Sequence, residues 1–261
     1  MRHLIIGCGY VGSRVAERLQ KQNLTVEVTT TSPERLEELQ PFHPQLLRSK
    51  EDLHPLVAHA DWILLSVAPK KGANYRTTYL DTAKAVLEGS PRGPLVYISS
   101  TSVYGDYGGK VVTEETPVSP LTSEAEILVK TEELLLTYPE TTILRLGEIL
   151  GPGRELEKRV LSLSGKTLPG IGENLTNLSP IDLILEGVEL VREENLRGVY
   201  NLVSDLHVPR RELYEKITGE AGLPPPQWDP TLTSRHGGNK CVSGQKMKTL
   251  ISAWKKKRNL G

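Results

Sequence analysis

The chain has 261 residues, with 32 Lys+Arg against 32 Asp+Glu, so its formal net charge is zero. That balance supplies no bulk field toward nucleic acid or an anionic membrane, and no apolar stretch reaches transmembrane length. The length suffices for a full core without staples, and the two cysteines, Cys8 and Cys241, fit a reduced compartment. A disulfide at Cys8 would obstruct the glycine turn around it. The first strand begins almost at Met1, with no charged and apolar leader, and the expected location is the cytoplasm.

Leu4-Ile5-Ile6 reads as an apolar strand feeding Gly7-Cys8-Gly9-Tyr10-Val11-Gly12. This Gly-x-Gly-x-x-Gly turn opens an amphipathic helix marked by Val11, Val15, Ala16 and Leu19. Gly7 permits the tight turn, Gly9 lets the backbone approach a dinucleotide pyrophosphate, and Gly12 lets helix and strand pack closely. The helix N-terminus offers its amides to the anion. Thr25 to Thr30 is a second strand, and Ser32-Pro33-Glu34-Arg35 reads as an N-cap with proline at the first helical position.

A third strand lies near Gln45 to Arg48, and Trp62 to Val67 is a buried one, followed by Ala68, Pro69, Lys70, Lys71 and Gly72. The pattern continues with a helix from Tyr75 to Leu87, a strand from Leu95 to Ser100 and a long loop to Pro120. A helix from Ser123 to Leu136 and a strand from Thr142 to Leu146 follow. Such alternation predicts βαβ units in a doubly wound parallel sheet, an α/β Rossmann fold.

Beyond Gly151-Pro152-Gly153-Arg154 the alternation lapses. Helices are expected over Leu156 to Leu163, Ile181 to Val191 and Arg210 to Ala221, with a strand at Val199 to Val203. The residues from Asp229 on read as a polar, poorly patterned tail, and Lys255 to Arg258 as a solvated charge run. The expected organisation is a nucleotide-binding domain over 1–153 and a smaller C-terminal substrate cap over 154–261 that partly returns to the sheet.

Six segments in order resemble the NAD-dependent epimerase/dehydratase family of extended and atypical short-chain dehydrogenase/reductases. They are the glycine turn, Tyr97 to Gly105, Glu114 to Pro120, Leu144 to Gly153, Leu178 to Leu183 and Gly198 to Val203. The resemblance implies a dinucleotide at Gly7, Gly9, Tyr10, Val11 and Gly12, with the strand ends Val67-Ala68-Pro69 and Leu146-Gly147 completing its site. Thr30, Thr31 and Ser32 stand where a carboxylate would receive an NAD ribose, and Arg35 follows. Hydroxyls and a guanidinium suit a 2′-phosphate, which favours NADP and leaves NAD open. Equally, the threonines can simply suit a strand end.

In the family a Ser or Thr four residues before the Tyr of the Val-Tyr-Gly segment holds the reacting oxygen, and Ser100 matches it. Thr101 and Ser102 replace the Asp and Glu of dehydratase-like members, which argues against that reaction. The family's Tyr-x-x-x-Lys pair has no match: aligning the helix on Glu133 puts Ala125 and Val129 there, with Lys130 one residue and about 100° away. Tyr104 and Tyr107 remain candidate proton donors, and Glu124 and Glu126 either acid/base groups or charges favouring a helix start.

Arg145 and Arg154 could meet an anionic substrate, and Asp182 reads as a helix cap in a segment that lines the family's cleft. The histidines His3, His43, His54, His59, His207 and His236 show no metal-ligand spacing. Two readings follow. One is an oxidoreductase or epimerase acting on a nucleotide-sugar or small polar carbonyl or alcohol, with Ser100 and Tyr104 in the site. The other is a non-catalytic NADP(H)-binding sensor. A homodimer through the Tyr75 and Ser123 helices is compatible with both.

Overall fold

The computed structural model describes residues 1–69, 72–232 and 238–259. In chain order the first elements are β1 (Arg2–Ile6), α1 (Tyr10–Lys21), β2 (Thr25–Thr30), α2 (Leu36–Leu39), β3 (Pro44–Leu46), α3 (Leu53–Ala58) and β4 (Trp62–Leu65). The chain continues with α4 (Tyr75–Thr78), α5 (Leu80–Glu88), β5 (Leu95–Ser100), β6 (Val111–Val112), α6 (Ser123–Leu135) and β7 (Thr141–Leu146). After β7 come β8 (Glu148–Leu150), α7 (Leu156–Leu161), β9 (Thr167–Pro169), β10 (Leu178–Pro180) and α8 (Ile181–Glu193). The chain closes with β11 (Gly198–Leu202), α9 (Arg210–Glu220), β12 (Gln227–Asp229), β13 (Cys241–Val242) and α10 (Gln245–Asn259).

Seven parallel strands form the central sheet in the order β3-β2-β1-β4-β5-β7-β11. Strand order reverses between β1 and β4, where an open α/β sheet leaves a crevice at its carboxyl edge. β4 and β7 are buried at every residue; Trp62 to Leu65 therefore reads as an unbroken apolar run, while in β7 Thr141, Thr142 and Arg145 find partners inside the protein. Helices α1, α8 and α10 cover one face, burying Val15, Leu19, Ile184 and Ile251; α3, α5 and α6 cover the other with Leu53, Val86 and Leu135. Full burial of each such side chain contributes about 1.5–3 kcal/mol. Three short parallel pairs, β10 with β8, β12 with β9 and β13 with β6, tie the later segments over the carboxyl edge.

Several boundaries differ from the sequence reading. The third strand is Pro44–Leu46, and the helix expected from Tyr75 is two, parted at Tyr79. Thr77 and Thr78 there turn their hydroxyls back onto the Asn74 carbonyl. Ser32 precedes a single 3-10 turn, Pro33–Arg35, and makes no side-chain cap bond to it. Asp182 lies in the first turn of α8, one residue past the start, and Pro180 holds the cap position.

The largest correction is the tail, which contains β13 and the longest helix described, α10. Met247, Ile251 and Trp254 recur at i, i+4 and i+7 and are buried. Trp254 Nε1 donates to Glu193 at 2.9 Å. Lys255, Lys257 and Arg258 pair with Glu186, Glu194 and Glu189 at 2.6, 3.2 and 3.0 Å, so the basic run, though its side chains are exposed, belongs to a docked helix rather than a tail.

Candidate functional site

The glycine turn occupies the carboxyl end of β1. Gly7 has φ +91°, and a Cβ there would lie 2.7 Å from the Ser66 carbonyl oxygen. At Gly12 a Cβ would lie 2.3 Å from the Gly7 oxygen, so these two glycines close the turn against the protein itself. Gly9 is different: a Cβ would meet nothing within 4 Å. Its open side faces no protein, and α1 begins at Tyr10 with no side-chain cap bond from Gly9. First-turn amides beside an unfilled space are what a pyrophosphate requires. The Cys8 thiol is buried, which pushes its pKa up to about 11 and leaves it unreactive at neutral pH.

The neighbouring strand ends converge on this turn. Thr29 Oγ1 accepts from Gly7 N at 3.2 Å, and Val67 packs against Gly7 so closely that only glycine fits. Ala68 and Pro69 follow Val67, while Lys70 and Lys71 lie outside the described residues. Thr30 and Ser32 are buried and Thr31 is exposed; Thr30 Oγ1 accepts from Ser32 N at 3.1 Å. Arg35 donates from Nη1 to the Cys8 carbonyl at 2.6 Å and forks onto Glu38 at 3.1 and 2.8 Å. The expected guanidinium therefore touches the glycine turn, and it brings a carboxylate with it. Tyr10 is held between Arg14 and Arg154, 3.7 and 4.4 Å from its ring centroid, and donates to the Pro152 carbonyl at 3.1 Å.

One strand along, the ends of β5 and β7 open into a cleft of about 450 Å³ lined by Ser100, Ser102, Arg159, Asn177, Arg210 and Lys240, among others. Ser100 pairs in register with Leu146, and its Oγ accepts from Ser102 N at 3.2 Å. Gly147 also lines this cleft, held by a 2.8 Å bond from its N–H to Ser179 Oγ. Arg159 pairs with Glu148 at 2.8 Å. Lys240 is buried, and its Nζ donates to the Gly105 carbonyl at 2.8 Å. Burial pushes its pKa down to about 8; Asp106 opposes that shift and Arg210 adds to it.

Other candidates face elsewhere. Tyr104 is fully buried and donates to Asn201 Oδ1 at 2.8 Å, and burial raises its pKa despite the nearby Arg145. The structure therefore does not bring the expected proton donor to the cleft; a phenol over a core strand finds its partner inside. Arg145 is likewise internal, paired with Glu132. Tyr107 donates to the Pro117 carbonyl at 2.6 Å and pins the loop. On α6, Ala125 is buried, Val129 half-buried, and Lys130 and Glu126 exposed. Thr122 caps that helix by accepting from Ala125 N at 3.1 Å. His236 lies outside the described residues, among which no group of three or more His, Cys, Asp or Glu could hold a metal.

The sequence reading missed Arg159, Arg210 and Lys240. Nothing local marks them: each reaches the cleft through the pairing of late segments, α7, α9 and the approach to β13, with the carboxyl edge.

A parallel sheet of this order with a glycine turn at its reversal point defines a dinucleotide-binding Rossmann fold. The chain belongs to the NAD dependent epimerase/dehydratase family, whose profile matches residues 3–170. It is 28% identical to the Escherichia coli K12 protein YeeZ over 260 residues, covering 93% of this chain and 91% of that one. A functionally unknown conserved protein from Silicibacter pomeroyi superposes with TM-score 0.77 at 24% identity, covering 96% of this chain and 92% of that one. UDP-glucuronic acid 4-epimerase from Bacillus cereus, solved with UDP-glucuronic acid and NAD, superposes with TM-score 0.76 at 22% identity, covering 97% and 93%. At these identities the solved structures share the fold. Among the described residues, no helix is long and apolar enough to cross a membrane.

Proposed function

We propose that this protein is a nicotinamide-dinucleotide-dependent oxidoreductase or epimerase acting on a nucleotide-sugar or a similarly polar, anionic alcohol or carbonyl, with NADP preferred over NAD. One observation carries the reading: the open face of Gly9 and the Ser100 cleft lie on the same edge of one sheet. Bound there, a nicotinamide dinucleotide supplies a two-electron acceptor and donor.

The chain's own groups divide the remaining work. The amides of Tyr10, Val11 and Gly12 receive the pyrophosphate. Thr31 and Arg35 lie on the adenosine side, where a guanidinium already against the turn suits a 2′-phosphate. Ser100 orients the reacting oxygen. Arg210 places positive charge along the cleft wall, which suits a diphosphate or sugar carboxylate, while Arg159 is paired there with Glu148.

The test incubates the protein with NADP⁺ or NAD⁺ and a set of UDP- and dTDP-hexoses and hexuronic acids, following reduced dinucleotide by absorbance and the sugar by NMR. Turnover of at least one acidic or neutral sugar nucleotide is expected. Dinucleotide binding without turnover of any of them would contradict the reading.

A further inference from the structure

With α6 aligned on Glu133, Ala125 and Val129 stand where the family's tyrosine and lysine are expected, and a lysine reaches this cleft from far along the chain. Lys240 sits just before β13, and both of its flanks are fastened. Asn239 accepts from Leu175 N at 2.9 Å and donates to the Glu173 carbonyl at 3.2 Å. Its carbonyl also receives the amides of Tyr107 and Gly109 at 2.8 and 3.0 Å. On the other flank Cys241 N donates to the Lys110 carbonyl at 3.0 Å, and Val242 N to Asn177 Oδ1 at 2.8 Å. The backbone that carries this long, entropically costly side chain is therefore held from both sides, and Lys240 lines the cleft together with Ser100 and Ser102.

We propose that Lys240 is the catalytic residue that gives a proton to, and takes one from, the substrate oxygen oriented by Ser100. The proposal rests on the oxidoreductase reading above. In the oxidising direction the substrate O–H bond breaks and its proton forms an N–H bond on the neutral Lys240 amine, which becomes an ammonium. The C–H electron pair passes to the oxidised dinucleotide as the carbonyl forms. In the reducing direction the ammonium returns the proton to the alkoxide oxygen.

The surroundings suit a group that must exist in both forms. Buried lysines lose their proton more easily, and here the amine titrates near 8, close to working pH. Two charged groups act on it, and a third lines the same cleft. Asp106 in the loop after β5 favours the ammonium, Arg210 on α9 opposes it, and Arg159 of α7 is already paired with Glu148. The Gly105 carbonyl accepts from the amine in either protonation state, so the side chain keeps its place while the proton leaves.

The test compares wild type with Lys240→Met and Lys240→Arg, each checked for fold by circular dichroism and for dinucleotide affinity. With a sugar nucleotide the wild type turns over, Lys240→Met should lose about 10²–10⁴-fold in kcat with KM nearly unchanged, the loss typical of a positioned acid–base group. Wild-type kcat/KM for oxidation should rise with a midpoint near 8, and Lys240→Arg should not restore it because its charge does not titrate. A folded Lys240→Met that keeps kcat within about threefold overturns the proposal. If the wild type turns over none of them, the oxidoreductase reading fails separately, and the Lys240 ¹³Cε resonance, assigned through Lys240→Met, decides. A titration midpoint near 8 that moves up on adding UDP-glucuronic acid supports Lys240 as a substrate-facing amine; an unmoved midpoint, or one near 10.5, overturns it.

Discussion

Arg145 of β7 forks onto Glu132 of α6 inside the protein, with Nη2 2.6 Å from Oε2 and Nε 3.1 Å from both carboxylate oxygens. Both side chains are nearly inaccessible, and Ser99 donates to the same carboxylate at 2.5 Å. The guanidinium carbon lies 4.8 Å from the centroid of the Tyr104 ring, whose hydroxyl reaches Asn201. The network bolts α6 to the carboxyl ends of β5 and β7, next to Ser100 and Gly147. Replacing Glu132 with Leu leaves a buried guanidinium without its counter-charge, which costs about 3–5 kcal/mol. Urea unfolding measures it; a loss under about 1 kcal/mol would show that the pair behaves as a solvated surface bridge.

The proposed preference for NADP over NAD turns on Arg35. Its Nη1 is committed to the Cys8 carbonyl and its other nitrogens to the exposed Glu38, whose carboxyl the guanidinium holds below the usual range. A 2′-phosphate can displace that exposed partner and keep the fork filled. NADPH should bind at least about tenfold tighter than NADH, a difference of about 1.4 kcal/mol, and Arg35→Ala should erase it. Fluorescence titration of both reduced dinucleotides against both proteins checks this, and equal affinities in the wild type would place NAD first.

His3 makes stability depend on pH. It is 1% exposed, donates from Nδ1 to the Thr25 carbonyl at 3.1 Å, and burial holds its pKa below the ordinary value. Because the folded pKa is depressed, the unfolded chain takes up the proton first. The contribution is complete above the unfolded value of about 6.5 and is lost as pH falls below it toward the folded pKa. Thermal melts between pH 7.5 and 5 should show a loss in wild type that His3→Gln lacks; parallel curves would exclude His3 as the cause.

Much of this was legible in the residues because the first half obeys local rules. Gly7, Gly9 and Gly12 announce the turn, and the buried strands read as apolar runs of the right length. Ser100 was found through its offset from Tyr104. Tyr104 itself was misjudged because sequence shows a phenol near a site but not that Asn201, 97 residues on, waits in the core to receive it. The C-terminal helix carried a readable signal, Met247, Ile251 and Trp254 on one face, hidden by the lysines between them. Lys240 carried none. Its position is created by β13 pairing with β6 and by Asn177 and Asn239 acting as tertiary clamps, and no local pattern encodes those contacts.

Gly9 offers the most direct measurement of the central claim, that the open face of this turn holds a nicotinamide dinucleotide. A Cβ at Gly9 meets no protein atom within 4 Å, and serine suits the N-cap position and a φ of −86°, so Gly9→Ser should change stability by less than about 1 kcal/mol. Its side chain nevertheless fills the space assigned to the pyrophosphate. Calorimetric titration of NADPH should give clear binding to the wild type and at least about tenfold weaker binding to Gly9→Ser. Equal affinity for the two proteins, or none for the wild type, would contradict the account.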